Sequence, residues 1–266
     1  MQKTLNYPLE RIYAEITGPE DAPPMVLLHG WGSSAHLMRP IAEAFQTDYR
    51  VYALDFPGHG HSPPPPEPWG VPEFAHLLEM FLQHHHLTEN VTLIGHSNGG
   101  RIALFLASCS PLRESIRRMV LISPSGIRPT RRPSYYVKTA IARTLKAPFQ
   151  GLPAPLREKG LHWLRGTFIW DWLASSDYQQ TEGVMRETFV RTVNFYLTPE
   201  HLRQINIPVL LFWGTQDKAI TYEQMKKLEE ALPDAGLVLL ENAGHYAYLD
   251  NPHQFLQATR YFLNHS

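Results

Sequence analysis

Cysteine is almost missing from this chain: Cys109 stands alone among 266 residues. One thiol can close no internal disulfide and build no multi-cysteine metal site. A surplus of either charge is missing too. Lys+Arg 24 against Asp+Glu 25 leaves a formal net charge of −1, without the basic excess of a nucleic-acid binder or the acidic excess of a disordered tail. No apolar run is long enough to span a bilayer, and Met1–Pro8 lacks the apolar core of a signal peptide. These absences set the expectation of a soluble, cytoplasmic monomer or homodimer. It would act on a small molecule, with no nucleic-acid or membrane partner, no metal and no cofactor.

What is present is a rhythm. Short apolar runs each end in a glycine-rich or polar turn. Pro24–Leu28 leads into His29-Gly30-Trp31-Gly32, Arg50–Leu54 into Asp55-Phe56-Pro57-Gly58, and Asn90–Ile94 into Gly95-His96-Ser97-Asn98-Gly99. Arg118–Ile122 leads into Ser123-Pro124-Ser125-Gly126, Pro208–Trp213 into Gly214-Thr215-Gln216-Asp217, and Gly236–Leu240 into Glu241-Asn242-Ala243-Gly244-His245. Continuous apolarity suits strands covered on both faces, as in a parallel sheet. Helical patterns lie between them, at 71–86, 98–109, 221–232 and 252–264, so the class is α/β with right-handed crossovers. Glu10–Ile16 alternates instead and reads as an antiparallel edge strand. Residues 1–126 and 205–266 form the core domain.

Residues 127–204 break the rhythm. They carry Trp163, Phe168, Trp170, Trp172, Tyr178, Phe189, Phe195 and Tyr196 on helical rather than strand patterning. A segment this long must have structure of its own, and it reads as a helical insertion between two core strands. The run Pro63–Pro66 is a stiff, extended lead into a helix.

A serine hydroxyl is a poor nucleophile at neutral pH and needs a base for its proton and donors for the oxyanion it creates. A sharp strand-to-helix turn serves both needs, lifting the side chain clear of the sheet and aiming backbone N–H groups at the reacting carbon. Gly95-His96-Ser97-Asn98-Gly99 has the small residues such a turn requires on either side of Ser97. Chance alone would supply about 0.1 such motifs in a chain this long; its placement between a strand and the helical run Gly100–Ala107 is what makes it specific. The acid and the base should follow in that order. Asp217 and His245 do, each in the turn after a strand, at the sheet edge where parallel folds gather their sites. The reading is Ser97 as nucleophile, His245 as base and Asp217 as the group orienting it. Backbone N–H groups of Asn98 and Trp31 would form the oxyanion hole. Gly30, Trp31, Trp163, Phe168 and Tyr246 are the expected substrate-binding residues.

These segments, together with Asp55–Ser62 and Gly214–Asp217, make the chain resemble the α/β-hydrolase superfamily, in its compact branch of esterases and C–C bond hydrolases. The resemblance covers most of the chain outside the insertion. It implies a mostly parallel, eight-stranded sheet with helices on both faces, and it implies that residues 127–204 cap the site and shape its pocket. A nucleophilic serine excludes the aspartate-dependent dehalogenases and epoxide hydrolases of that fold. Ester hydrolysis of a small-to-medium, apolar or aromatic substrate is the leading expectation. Alternatives are a C–C bond hydrolase, suggested by Ser97-Asn98-Gly99-Gly100, a lyase using the same three residues, or a ligand-sensing receptor.

Other conspicuous residues have plainer readings. Asp55 reads as a turn stabiliser, and His29, His59 and His96 as loop hydrogen-bonding groups. His84-His85-His86 reads as a solvated helix end, since adjacent helical residues point apart. Arg128, Arg131 and Arg132 are a solvated loop or a grip on an acidic substrate. Cys109 reads as a small buried residue.

Overall fold

The computed structural model describes residue 5 and residues 7–130, 133–165, 167 and 176–266. The strands are β1 (Ala14–Thr17), β2 (Pro24–Leu28), β3 (Arg50–Leu54), β4 (Val91–His96), β5 (Ile116–Ile122), β6 (Val209–Gly214) and β7 (Ala235–Leu240). They form one sheet in the order β1-β3-β2-β4-β5-β6-β7. Only β1 runs antiparallel, against β3; the other neighbours are parallel. Seven strands are found among the described residues where eight were expected. Eight came from the family resemblance; the segments read as strands number seven, and at the amino-terminal one Leu9–Arg11 winds into a single 3-10 turn closed by Arg11 N–H to the Pro8 carbonyl at 3.1 Å. The alternating segment therefore yields only the short strand β1.

Helices cover both faces. On one side α1 (Ala35–Phe45) and α11 (Pro252–His265) pack Met38, Ile41, Phe45 and Phe255 against Met25, Leu27, Ile94 and Phe212. On the other, α2 (Val71–His84), α3 (Asn98–Cys109) and α9 (Tyr222–Ala231) pack Phe74, Leu78, Ile102, Leu106 and Met225 against Val26, Leu28, Leu93 and Leu211. Successive strand residues point to opposite faces, and both faces of the inner strands β2 to β6 are covered, so these strands are apolar along most of their length. α1 falls outside the helical patterns read from the sequence; Pro40 lies inside it, and an internal proline reads as a helix break. α2 ends two residues earlier than expected because His86 turns to φ 57°. His84 and His86 are exposed there, while the His85 ring lies 4.4 Å from Phe81 and 5.4 Å from Tyr52. Cys109, expected to be buried, is exposed: it ends α3, beyond the stretch of that helix held against the sheet.

Between β5 and β6 the described residues hold helices and no strand: α4 (Pro133–Gln150), α5 (Ala154–Arg165), α6 (Ser176–Gln180), α7 (Gly183–Val193) and α8 (Pro199–Arg203). A short helix, α10 (Ala247–Asp250), precedes α11. No helix among the described residues is long and apolar enough to cross a membrane.

Register places the functional turns. Leu28 pairs with Gly95, His96 with Ile122, Ile122 with Phe212, and Gly214 with Leu240. The carboxyl ends of five parallel strands are therefore level, and the turns after β2, β4, β5, β6 and β7 stand in one row.

Candidate active site

Ser97 sits at the tip of the β4–α3 turn with φ 50° and ψ −109°. Non-glycine residues held at such angles cost on the order of 1–3 kcal/mol and persist only where the surroundings over-determine them. Here the surroundings do. The Ser97 N–H donates to the Ile122 carbonyl at 2.9 Å, and the Ser97 carbonyl accepts from Ser125 N–H at 3.0 Å and Arg101 N–H at 3.2 Å. The turn is also too tight for side chains on its flanks. A Cβ on Gly95 would lie 2.8 Å from Gly100, and one on Gly99 would lie 2.2 Å from the Leu28 carbonyl oxygen.

Asp217 and His245 meet across the β6 and β7 turns. His245 Nδ1 lies 2.9 Å from Asp217 Oδ2, with the carboxylate fully buried and the imidazole 23 % exposed. An ionised carboxylate only accepts, so Nδ1 carries the proton and Nε2 is left with its lone pair free. Asp217 Oδ1 is held in turn by the N–H groups of Ala219 at 2.7 Å and Ile220 at 3.0 Å. Burial by itself would raise the Asp217 pKa. The His245 hydrogen bond and charge, the Ile220 N–H and the nearby Ser123 hydroxyl outweigh it and hold the carboxyl below its ordinary value.

His96 joins these two parts. Its Nε2–H donates to the His245 carbonyl at 3.0 Å, and the two rings are 4.8 Å apart. The residue before Ser97 thus holds the backbone of His245. His96 is buried, and burial followed by the nearness of His245 pushes its pKa down to about 3. His29 is likewise pushed down to about 3, by burial and then by His59. Its ring spans the β2 turn, Nδ1–H donating to the Gly30 carbonyl at 2.7 Å and Nε2 accepting from Phe56 N–H at 2.9 Å. Asp55 behaves as a turn stabiliser: its carboxylate accepts from Ala35 N–H at 2.6 Å and His61 N–H at 2.8 Å, clamping the β2 and β3 turns together.

The remaining expected site residues fall differently. The Cβ position of Gly30 is 3.2 Å from Ser97 Cβ, so the β2 turn lies directly against Ser97. Trp31 and Asn98 follow Gly30 and Ser97 respectively, and neither backbone N–H has an acceptor among the described residues. Asn98 opens α3, where the helix dipole favours negative charge. The Tyr246 ring lies 4.7 Å from His96 and 5.7 Å from His245. Trp163 stands 68 % exposed on α5 rather than in a pocket wall. Phe168 lies outside the described residues, as do Arg131 and Arg132, while Arg128 rests over the Tyr196 ring at 4.9 Å.

The segment between β5 and β6 is held to the core mainly by α7, at the β2 turn and at the loop before α2. Phe189 packs its ring 5.2 Å from Trp31, Thr188 Oγ1 accepts from Trp69 N–H at 3.1 Å, and Arg191 donates to the Pro68 carbonyl at 2.7 Å. Arg101, one helical turn after Ser97, reaches across to the Thr192 carbonyl. It is buried, and burial pushes its pKa down to about 10. Sequence reading passed over Arg101, although a guanidinium at the head of the apolar run Ile102–Ala107 was a signal. A cavity of about 270 Å3 opens between the layers, lined by Trp31, Gly32, His59, Glu182 and Met185 among others. A larger hollow, about 500 Å3, runs along α11 beside Leu210, Val238 and Phe262, and includes none of these turns.

The chain belongs to the α/β-hydrolase-fold family, whose pattern it matches over residues 23–252. It is 27 % identical to the pimeloyl-[acyl-carrier protein] methyl ester esterase of Aeromonas hydrophila subsp. hydrophila, over 91 % of this chain and 95 % of that one. It is 24 % identical to the 2-hydroxy-6-oxo-6-(2'-aminophenyl)hexa-2,4-dienoic acid hydrolase of Metapseudomonas resinovorans, over 91 % of this chain and 84 % of that one. A thermophilic esterase from Thermogutta terrifontis shares the fold with a TM-score of 0.69 at 20 % identity, the match covering 95 % of this chain and 93 % of that one. Family and relatives together place the chain among the hydrolases.

Proposed function

We propose that this protein is a serine esterase, cleaving the carboxylic ester of a small-to-medium, apolar or aromatic substrate through an acyl-enzyme on Ser97. One observation carries the reading: Ser97 is held at positive φ on a strand-to-helix turn, and His96 of that same turn holds the Asp217–His245 pair beside it. His245 Nε2 takes the Ser97 proton as Oγ attacks the ester carbon. The N–H groups of Trp31 and Asn98 receive the oxyanion. The proton passes to the departing alcohol, and water, deprotonated by His245, then releases the acid. Asp217 stabilises the imidazolium in both halves.

Residues 127–204 act as a cap in this reading, with α7 forming the lip of the cavity beside Trp31. That cavity of about 270 Å3 reaches Trp31, a proposed oxyanion donor, but is lined by neither Ser97 nor His245; the aromatic residues of 127–204 are what support an apolar or aromatic substrate. The esterase relative supports ester cleavage. The similarity to the Metapseudomonas hydrolase, beside this chain's Ser97-Asn98-Gly99-Gly100 sequence, supports C–C bond hydrolysis as the second reading.

The test is a panel of p-nitrophenyl esters of increasing acyl length together with a vinylogous diketone, run on wild type and Ser97→Ala. Short-chain esters should turn over fastest, and Ser97→Ala should lose on the order of 10^4-fold or more in kcat/KM with an unchanged melting temperature. Near wild-type rates in Ser97→Ala would sink the nucleophile assignment. Faster cleavage of the diketone than of any ester would move the protein to the second reading.

A further inference from the structure

The net charge of −1 conceals a strong segregation. Residues 133–165, the span of α4 and α5, hold six basic residues (Lys138, Arg143, Lys146, Arg157, Lys159 and Arg165) against one acidic residue, Glu158. That is +5 in this span, leaving −6 on the rest of the chain. α4 contains no acidic residue at all.

The two helices pack on one another as a hairpin, the Phe149 ring lying against Gly160. The outward face of α4 is the unusual one. Pro133, Tyr136, Val137, Ala140, Ile141 and Pro148 recur at the three- and four-residue spacing of a helical stripe, and all are exposed. Such a stripe normally faces the core; here it faces out. Tyr136 is 63 % exposed and Val137 58 %. α5 and the link before it repeat the pattern with Leu152, Leu156 and Trp163, four and seven residues apart and likewise exposed.

We propose that the α4–α5 hairpin is a docking surface for an anionic lipid bilayer, lying flat in the headgroup region with Tyr136, Val137, Ile141, Leu156 and Trp163 inserted and the basic residues on lipid phosphates. A basic helix with an exposed apolar stripe is the composition of an interfacial helix. Tyrosine and tryptophan rings settle at headgroup level, and each Lys or Arg near an anionic surface adds attraction. A second copy of the chain is a poor occupant, because a two-fold interface would set one +5 hairpin against another. The expectation of no membrane partner came from the lack of a bilayer-spanning apolar run, a criterion that does not address an interfacial helix.

The experiment is vesicle flotation of the full-length protein with phosphatidylcholine alone, and with about three parts phosphatidylcholine to one of phosphatidylglycerol. The expected result is binding to the anionic vesicles only, weakened at least about tenfold at high salt. Two variants separate the forces. Arg143→Glu with Arg157→Glu should weaken binding by about tenfold or more. Val137→Ser with Ile141→Ser should weaken it comparably, although it keeps every charge. Circular dichroism and the melting temperature show that each variant is folded; should either fail to fold, Arg143→Gln or Val137→Ser alone replaces it, with the same direction and a smaller effect. Equal binding to both vesicle types, or binding to neither, overturns the proposal. So does a serine variant that binds like wild type while polyglutamate competes with the vesicles, which would point to an acidic protein partner. A wild-type dimer that the serine variant converts to monomer, with vesicle binding unchanged, would assign the face to self-association.

Discussion

The imidazole of His96 donates to the backbone carbonyl of His245 at 3.0 Å, tying the residue before the proposed nucleophile to the proposed base across 149 positions of sequence. The tie acts on the His245 main chain, so it sets where the imidazole starts from, while Asp217 sets its rotation. His96→Leu removes the donor and leaves that part-buried carbonyl without this partner. We expect a fall of about tenfold or more in kcat with little change in KM, and a melting temperature several degrees lower. Gln, which keeps a donor, should restore part of the rate. A change confined to KM would show that His96 acts on the pocket and not on His245.

Asp217→Asn keeps the shape and removes the charge. Its amide can also turn an N–H toward His245, which then presents the wrong tautomer. The expected loss in kcat is on the order of 10^3–10^4-fold, measured on a short ester. Destabilisation should be modest, since the remaining oxygen can still accept from Ala219 and Ile220. An activity within tenfold of wild type would exclude Asp217 as the orienting acid.

Acid should weaken the fold through the buried imidazoles. His29 and His96 are both held down to about 3 in the native state, whereas an unfolded imidazole titrates near ~6.5. Their contribution is complete above about pH 6.5. Between there and about pH 3 the unfolded chain binds protons that the native chain refuses, so stability falls as pH falls. At pH 5 each residue accounts for a loss of about 2 kcal/mol. Urea unfolding at pH 7 and pH 5 measures this; equal midpoints would mean that these rings accept protons within the folded protein.

Gly99→Ala should be among the costliest single-methyl additions in the chain. Its Cβ would sit 2.2 Å from the Leu28 carbonyl oxygen and 2.7 Å from that of His29. Backbone atoms of a central strand cannot withdraw, so a loss of at least about 3 kcal/mol is expected. Gly32→Ala is the control: φ is +69° but nothing lies within 4 Å, and the cost should be about 1 kcal/mol. Thermal melts of the two variants side by side decide the point, and comparable shifts would count against the close approach of β2 to α3.

Much of the core was legible because its determinants are local. Six of the seven strands lie at or within a residue or two of the apolar runs, since strands of a parallel sheet covered on both faces are apolar along most of their length. The turn residues beside them marked Ser97, Asp217 and His245. The misses arose where the signal is two-sided. Pro40 hides α1, Glu10–Ile16 alternates like a strand yet begins in a 3-10 turn, and Cys109 has the chemistry of a buried residue at a helix end that the sheet no longer covers. Arg101 was invisible as a link because its acceptor, the Thr192 carbonyl, lies 91 positions away.

The sequence by itself determined the fold class and the order and types of the three proposed catalytic residues. Strand periodicity and turn chemistry are written in neighbouring residues and need no tertiary information. Tertiary structure alone decided which of those residues are joined and which faces are covered. A helical apolar stripe has the same spacing whether it meets a core or water, so the outward turn of α4 could not be read in advance. Likewise a buried histidine in a Gly-X-Ser-X-Gly turn does not announce its partner: the level strand ends brought His96 within reach of His245, and that contact depends on packing rather than on any local pattern.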